Sequence, residues 1–305
     1  MTPGTDPELD AVVAALRELD PDGHRTASVL RDTIDQLYDG QRTGRYRWDQ
    51  LYQTEKTHCG TLVEINMQRK FKFDDGDTLD YRIAGVEIDC KFSQRFGRWM
   101  IPPEARGRLC LVLWASDEQS RWSMGVVRAS EANLQPTKNR DQKTSLNKGG
   151  RERVSYLHCD AALPENLLLQ LPREVVDRIF AFGAGAARVR ELFRLVQRTP
   201  IGRVDVAAVG QQADYMKRIR GNGGARSQLR PEGIVILGQS HTHRRIAERL
   251  GLPVPGDGES VSARVHPCSA GAPDSAEIDG AWWRLAADSD PIVEAPALPR
   301  PRSGD

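Results

Sequence analysis

The sequence predicts an α/β chain, with a mixed sheet flanked by helices in its first half and a winged helix-turn-helix in its second. Three stretches carry that expectation. Leu79–Ser93 alternates apolar and polar residues on either side of Ala84-Gly85, as a hairpin with a two-residue turn does. Arg108–Trp114, RLCLVLW, is almost unbroken apolar sequence and suits a central strand buried on both faces. Val204–Val209, a turn at Gly210-Gln211, Ala213–Arg220, a glycine-rich loop from Gly221 and a strand at Glu232–Leu237 follow the order of a winged helix-turn-helix. At 305 residues the chain exceeds one average domain. A boundary near Tyr156–Pro164 divides it into 1–158 and 159–305.

The remaining elements fall around these. Leu9–Leu19 and Arg25–Tyr38 carry apolar residues at helical spacing, as at Val12, Val13, Leu16 and Leu19. Arg42–Trp48, RTGRYRW, reads as a loop in which Arg42, Arg45 and Arg47 alternate with Tyr46 and Trp48. A helix is expected from about Lys56 to Arg69, with Thr57, Thr61, Glu64 and Gln68 on one face. Arg121–Arg128 should neighbour the buried strand. Thr137–Arg153 is polar, basic and glycine-containing, and reads as a mobile loop. Helical segments follow at Glu165–Leu171, Arg173–Phe182 and Val189–Arg198. Asp279-Gly280 marks a last hairpin ahead of Trp282-Trp283. Leu298–Asp305 is a proline-rich polar tail of the composition that stays disordered.

The hairpin carries the chemistry. Its register sets Ile83 against Val86, Arg82 against Glu87 and Asp80 against Asp89. Directly opposed carboxylates repel, so this pair calls for a cation. A divalent metal on hard oxygen ligands fits, with Lys91 beside it on the same face. That is the equipment of a magnesium-dependent phosphodiesterase, with Glu64 as a third carboxylate from the helix. Charged residues on the outer face of a strand are ordinary, and a lone D-x-K is commonly solvated surface. The opposed pair and Glu64 together bring the two readings level.

Composition narrows the rest. Net charge is +1, so nucleic-acid binding must come from local basic patches. One such patch spans Arg188–Arg230 and includes Lys217, Arg218, Arg220, Arg226 and Arg230, against the alternative of a solvated helix face. Five scattered cysteines without a CxxC pair suit reduced thiols in a cytoplasm. The acidic, polar start does not read as a signal peptide, and the longest apolar run, Leu109–Ala115, is too short to span a bilayer. Gly221-Asn222-Gly223-Gly224 lacks the lysine and hydroxyl of a P-loop, so no nucleotide cofactor is expected. His241-x-His243 is a weak metal signal on a polar segment.

Glu64, Asp80 and Asp89-Cys90-Lys91 resemble the core of the PD-(D/E)xK nucleases, the superfamily of many type II restriction endonucleases. Longer segments are similar to its effector-activated, type IIE members. They include DPDGHRTASVLRDTIDQLYDGQRTGRYRWDQL, TEKTHCGTLVEIN, GVEIDCKFS, LRPEGIVILG, GLPVP and DPIVEAP, spread along most of the chain. The stretches near Thr137–Arg153 and Gln239–Arg249 resemble them least. Leu79 stands where the general pattern has proline, and the gap to Asp89 is short.

The resemblance implies a restriction-endonuclease-like first domain with Glu64, Asp80, Asp89 and Lys91 in the catalytic positions. Mg²⁺ would be held by Asp80, Asp89 and the Cys90 carbonyl, with Glu64 at a second metal or the water network. It implies a C-terminal DNA-binding domain and a homodimer in the bacterial cytoplasm. That dimer would bind two copies of a GC-rich palindrome such as GCCGGC, one cut and one activating. Expected DNA contacts are Arg42, Arg45, Arg47, Lys217, Arg218, Arg220, Arg226 and Arg230. Two other readings stay open on the residues: a non-catalytic winged-helix regulator, and a nuclease for damaged or mismatched duplex.

Overall fold

The computed structural model describes residues 6–212, 219 and 223–299. The chain forms two units. One comprises residues up to Tyr38 together with Arg47–Asn166, and the other Asp39–Tyr46 with the residues from Leu167 onward. The division after Asn166 lies beyond residue 158, which sits inside a strand.

The first unit begins with helix α1, Pro7–Leu19, capped by the Asp6 carboxylate accepting the Leu9 N–H at 3.2 Å. Helix α2 is His24–Tyr38. The Glu64 helix is longer than the expected span from about Lys56 to Arg69. Numbered α4 after the four-residue α3, Gly40–Thr43, it covers Gln53–Phe71 and ends at Lys72 in the left-handed conformation, φ 57°. The strands are β1 Asp74–Asp75, β2 Tyr81–Ile83, β3 Val86–Ser93, β4 Met100–Ile101, β5 Leu109–Ser116, β6 Arg121–Arg128, β7 Thr144–Ser145 and β8 Ser155–Ala162. Six of them form one sheet in the order β1-β2-β3-β5-β6-β8. The β3–β5 pair is parallel and the others antiparallel, so the sheet is mixed as expected.

Both faces of this sheet are covered, which explains the unbroken apolar run in β5. Leu109, Leu111 and Leu113 pack with Leu16, Leu30, Ile34, Val63 and Met67 of the helices. The intervening Cys110, Val112 and Trp114 pack on the opposite face with Trp99, Ile101, Leu134, Leu146 and Val154. Each such aliphatic side chain contributes roughly 1.5–3 kcal/mol by leaving water. The second cluster corrects one expectation. Thr137–Arg153 is not a free loop, because β7 pairs with β4, Leu146 is fully buried and α5, Lys148–Glu152, follows.

In the second unit, α6 Leu167–Gln170, α7 Arg173–Phe180, α8 Gly185–Leu195 and α9 Arg203–Gly210 pack around Val189, Leu192, Phe193 and Val206. Strand β9, Pro200–Ile201, lies between α8 and α9 in sequence. Helix α9 ends at Gln211 in the left-handed conformation, φ 49°, which is the turn read at Gly210-Gln211. The expected next helix, Ala213–Arg220, lies outside the described residues except for Ile219, and Lys217, Arg218 and Arg220 lie outside them too. Helix α10, Ala225–Leu229, then leads to β10, Ile234–Gly238. Helix α11 is His241–Arg249. Strands β11 Ser260–Pro267, β12 Ser275–Ile278 and β13 Ala281–Leu285 complete an antiparallel sheet with β10 and β9. Asp279 and Gly280, at φ 53° and 75°, make the expected two-residue hairpin turn. No helix among the described residues is long and apolar enough to cross a membrane.

Candidate active site

The β2–β3 hairpin takes the register read from its alternation, with Ile83 opposite Val86 and Arg82 opposite Glu87. Its ladder ends at Tyr81↔Ile88, one residue short of the expected Asp80–Asp89 pair. The like charges are not simply left opposed. The Cys90 N–H donates to Asp80 Oδ2 at 2.6 Å, which fixes the Asp80 carboxylate against the edge of β3.

Lys91 brings positive charge to both aspartates. Its Nζ lies 2.8 Å from Asp89 Oδ1 and 3.5 Å from Asp80 Oδ2, and donates to the Cys90 carbonyl at 2.7 Å. Asp89 is only 3% exposed, although a half-buried strand would have turned it to solvent. The reason is the two-sided sheet. Asp89 and Lys91 pair with Cys110 and Val112 of β5, whose side chains lie in the second core. Burial pushes the Asp89 carboxyl up to about 6, against the pull of Lys91. Burial also pulls on the Lys91 ammonium, but Asp89 and Asp80 outweigh it and hold it firmly protonated.

Glu64 reaches the same cluster from α4. The Tyr81 hydroxyl donates to the Glu64 carbonyl at 2.5 Å and anchors that turn of the helix to the sheet. Burial and the neighbouring Asp80 charge push the Glu64 carboxyl up to about 7. All four expected site residues therefore act on one another. Sequence reading missed Glu104, in the turn Pro103–Ala105, whose charge adds to the raised affinity of Asp89 for a proton. Nothing in the local sequence around Glu104 signals that proximity.

Among the described residues, no three His, Cys, Asp or Glu side chains are grouped to hold a metal ion. The donors present are two carboxylates and one backbone carbonyl, all hard oxygens, already converging on one positive charge. That set fits a hard divalent cation. The H-x-H segment does not supply an alternative. His243 is buried, the Gly238 N–H donates to its Nδ1 at 3.1 Å, and burial holds its pKa down to about 4.

The arginines expected on DNA are distributed unevenly. Arg42 is exposed and pairs with Asp39 at 2.7 Å, and Arg45 Nε donates to Thr43 Oγ1 at 3.3 Å, both in the second unit. Arg47 belongs to the first unit and lies 3.2 Å from Asp49. Arg226 Nε donates to the Ile236 carbonyl at 2.8 Å, and burial lowers its pKa. Arg230 Nε donates to the Ala295 carbonyl at 3.1 Å and its guanidinium pairs with Glu294. These last two guanidiniums hold the second unit together, a use that the density of basic residues does not reveal.

Comparison with known proteins finds matches along most of the chain. The family model described as Restriction endonuclease NaeI matches residues 10–294. A relative from Lentzea aerocolonigenes named Type II restriction enzyme NaeI is 55% identical over 303 residues, covering 97% of this chain and 95% of the relative.

Proposed function

The chain belongs to the NaeI family of restriction endonucleases, and from that membership we propose a Mg²⁺-dependent cut of double-stranded DNA at a GC-rich palindrome such as GCCGGC, within a bacterial restriction system. The observation that carries this reading is Lys91 Nζ held between Asp80, Asp89 and the Cys90 carbonyl. Type II restriction endonucleases generally use a divalent metal ion. Bound by Asp80, Asp89 and the Cys90 carbonyl, that ion would neutralise charge on the scissile phosphate and acidify a water molecule.

The side chains supply the rest. Lys91, kept protonated, donates to the attacking water or to a phosphate oxygen and stabilises the charge that develops there. Glu64, poised near neutrality, accepts the proton that the water gives up. The water oxygen bonds to phosphorus and the bond to the 3′ oxygen breaks. That oxygen takes a proton, leaving a 3′-hydroxyl and a 5′-phosphate. A palindrome has two equivalent scissile bonds, so a homodimer serves both strands. The second unit acts as a winged-helix module that binds a second DNA copy and activates the first, with Arg42 and Arg45 among its contacts together with Lys217, Arg218 and Arg220.

The test is Lys91→Ala on a plasmid of known sequence. Wild type should give discrete bands with Mg²⁺. The variant should lose cleavage by about 10²–10⁴-fold or more while retaining sequence-specific duplex binding. Retained cleavage would refute the assignment. A wild type that gives no fragments, or cuts only damaged duplex, would favour one of the two rival readings.

A further inference from the structure

We propose that the lobe formed by residues 94–106 and 137–153 is a second-face clamp for the duplex being cut, in which Arg95 and Arg98 hold backbone phosphates and Phe96 packs into a groove. It rests on the reading of the first unit as the nuclease. These two segments are far apart in sequence and were not connected by any motif. The structure joins them through the β4–β7 ribbon, Met100↔Ser145 and Ile101↔Thr144. The Arg106 guanidinium also donates to the Gln142 carbonyl at 2.6 Å.

Three observations point to DNA. The first is place. Asp89 and Lys91 lie on the sheet face that this lobe covers, and residue 94 follows directly on the strand that carries them. The second is charge. The two segments hold nine Lys or Arg and three Asp or Glu, on a chain whose net charge is only +1. A surplus of six positive charges in one lobe means that the remainder is net negative, so the local field favours a polyanion here.

The third is the apolar tip. Phe96 is 49% exposed and Met100 41%, among the largest exposed apolar side chains of the described residues. Phe96 is not a loose side chain. Trp99, Trp114 and Tyr156 back its ring at 5.8, 5.4 and 6.1 Å between centroids. The loop beneath it is pinned by Ser93 Oγ donating to the Arg95 carbonyl at 2.8 Å, the Arg98 N–H donating to the same carbonyl at 3.0 Å, and Trp114 Nε1 donating to the Gln94 carbonyl at 3.2 Å. Gly97 makes the bend at φ 75°. A rigid ring standing out between two exposed arginines is suited to contact apolar groove walls while the cations position the phosphates. Because the loop is already ordered, little entropy is lost when it engages.

The experiment uses the full chain in the Lys91→Ala background with Mg²⁺, and a short duplex bearing the cleaved sequence. Affinity is measured over a range of salt, with sedimentation of each protein alongside. Arg95→Gln/Arg98→Gln should weaken binding at least about tenfold and lower the slope of log K against log salt by about 2, one per lost phosphate contact. Phe96→Leu, which still covers Trp99 and Trp114, should weaken binding with the slope unchanged. A parent that binds while both variants match it in affinity and slope overturns the clamp and leaves the nuclease reading standing. Variants that change the oligomeric state overturn it in favour of a contact between two copies of the chain. A parent that fails to bind any duplex overturns both.

Discussion

At the scale of single residues, the site stores a conflict that a bound metal would resolve. Glu64 and Asp89 bind protons more tightly than free carboxylates do, with values near 7 and 6, chiefly because burial disfavours their charged forms. Raised values in the folded state mean that both groups favour folding below the ordinary carboxylate range, and that this contribution is lost as pH rises through 6 and 7. A divalent cation bound there, as proposed, would favour the charged forms and reverse the balance. Mg²⁺ should therefore raise the melting temperature more at about pH 8 than at about pH 6, and its uptake near neutrality should release protons. Equal shifts at both pH values would contradict the ligand assignment. Glu87 gives a contrast on the same strand. Its carboxylate accepts the N–H groups of Asp77 and Thr78 and lies 3.7 Å from Arg82, so it fixes the turn before β2 and not the cation. Glu87→Ala should lower activity far less than Asp89→Ala in a plasmid digest, and equal losses would mean that Glu87 belongs to the site.

At the scale of elements, a buried ionic knot marks where the chain leaves the first unit. Asp117, just after β5, accepts from Arg31, from the Tyr38 hydroxyl at 2.7 Å and from the Asn166 amide at 3.2 Å. Tyr38 and Asn166 are the residues before each passage to the second unit. Asp117→Ala would leave Arg31 buried beside Asp35, with Arg31, Tyr38 and Asn166 each losing an acceptor. A loss of about 3–5 kcal/mol in urea unfolding is expected, and a loss under about 1 kcal/mol would mean that water replaces the carboxylate. The sequence showed much of the framework but not this knot. Alternation gave the hairpin and its register, and the run Leu109–Trp114 gave the central strand, because both are periodic over consecutive residues. The Asp80 carboxylate on the Cys90 N–H, Glu104 near Asp89, and the Met100–Ile101 ribbon with Thr144–Ser145 join distant residues, which no local period encodes. The basic stretch around Arg226 and Arg230 shows the same limit, since a charge count does not say which carbonyls the guanidiniums have already met.

At the scale of the whole molecule, two units with separate cores are carried on one chain. If the first cuts DNA and the second binds another copy, the two events are linked by a single coupling free energy and must favour each other by the same factor. A plasmid with two copies of the target should then be cut faster than a plasmid with one, because the second copy is already tethered near the first. A coupling of about 1–3 kcal/mol would make that difference roughly 5–150-fold. A short duplex bearing the target, added in trans, should bring the one-copy plasmid toward the two-copy rate. The reciprocal effect should follow in the Lys91→Ala protein, where occupancy of the nuclease unit tightens binding of the second duplex by an equal factor. Activation by the same short duplex should also fade as salt rises, since its hold on the second unit is largely electrostatic. Identical rates on one-copy and two-copy plasmids, unaltered by added duplex, would show that the second unit does not act as an effector site, and its helices and sheet would need another role.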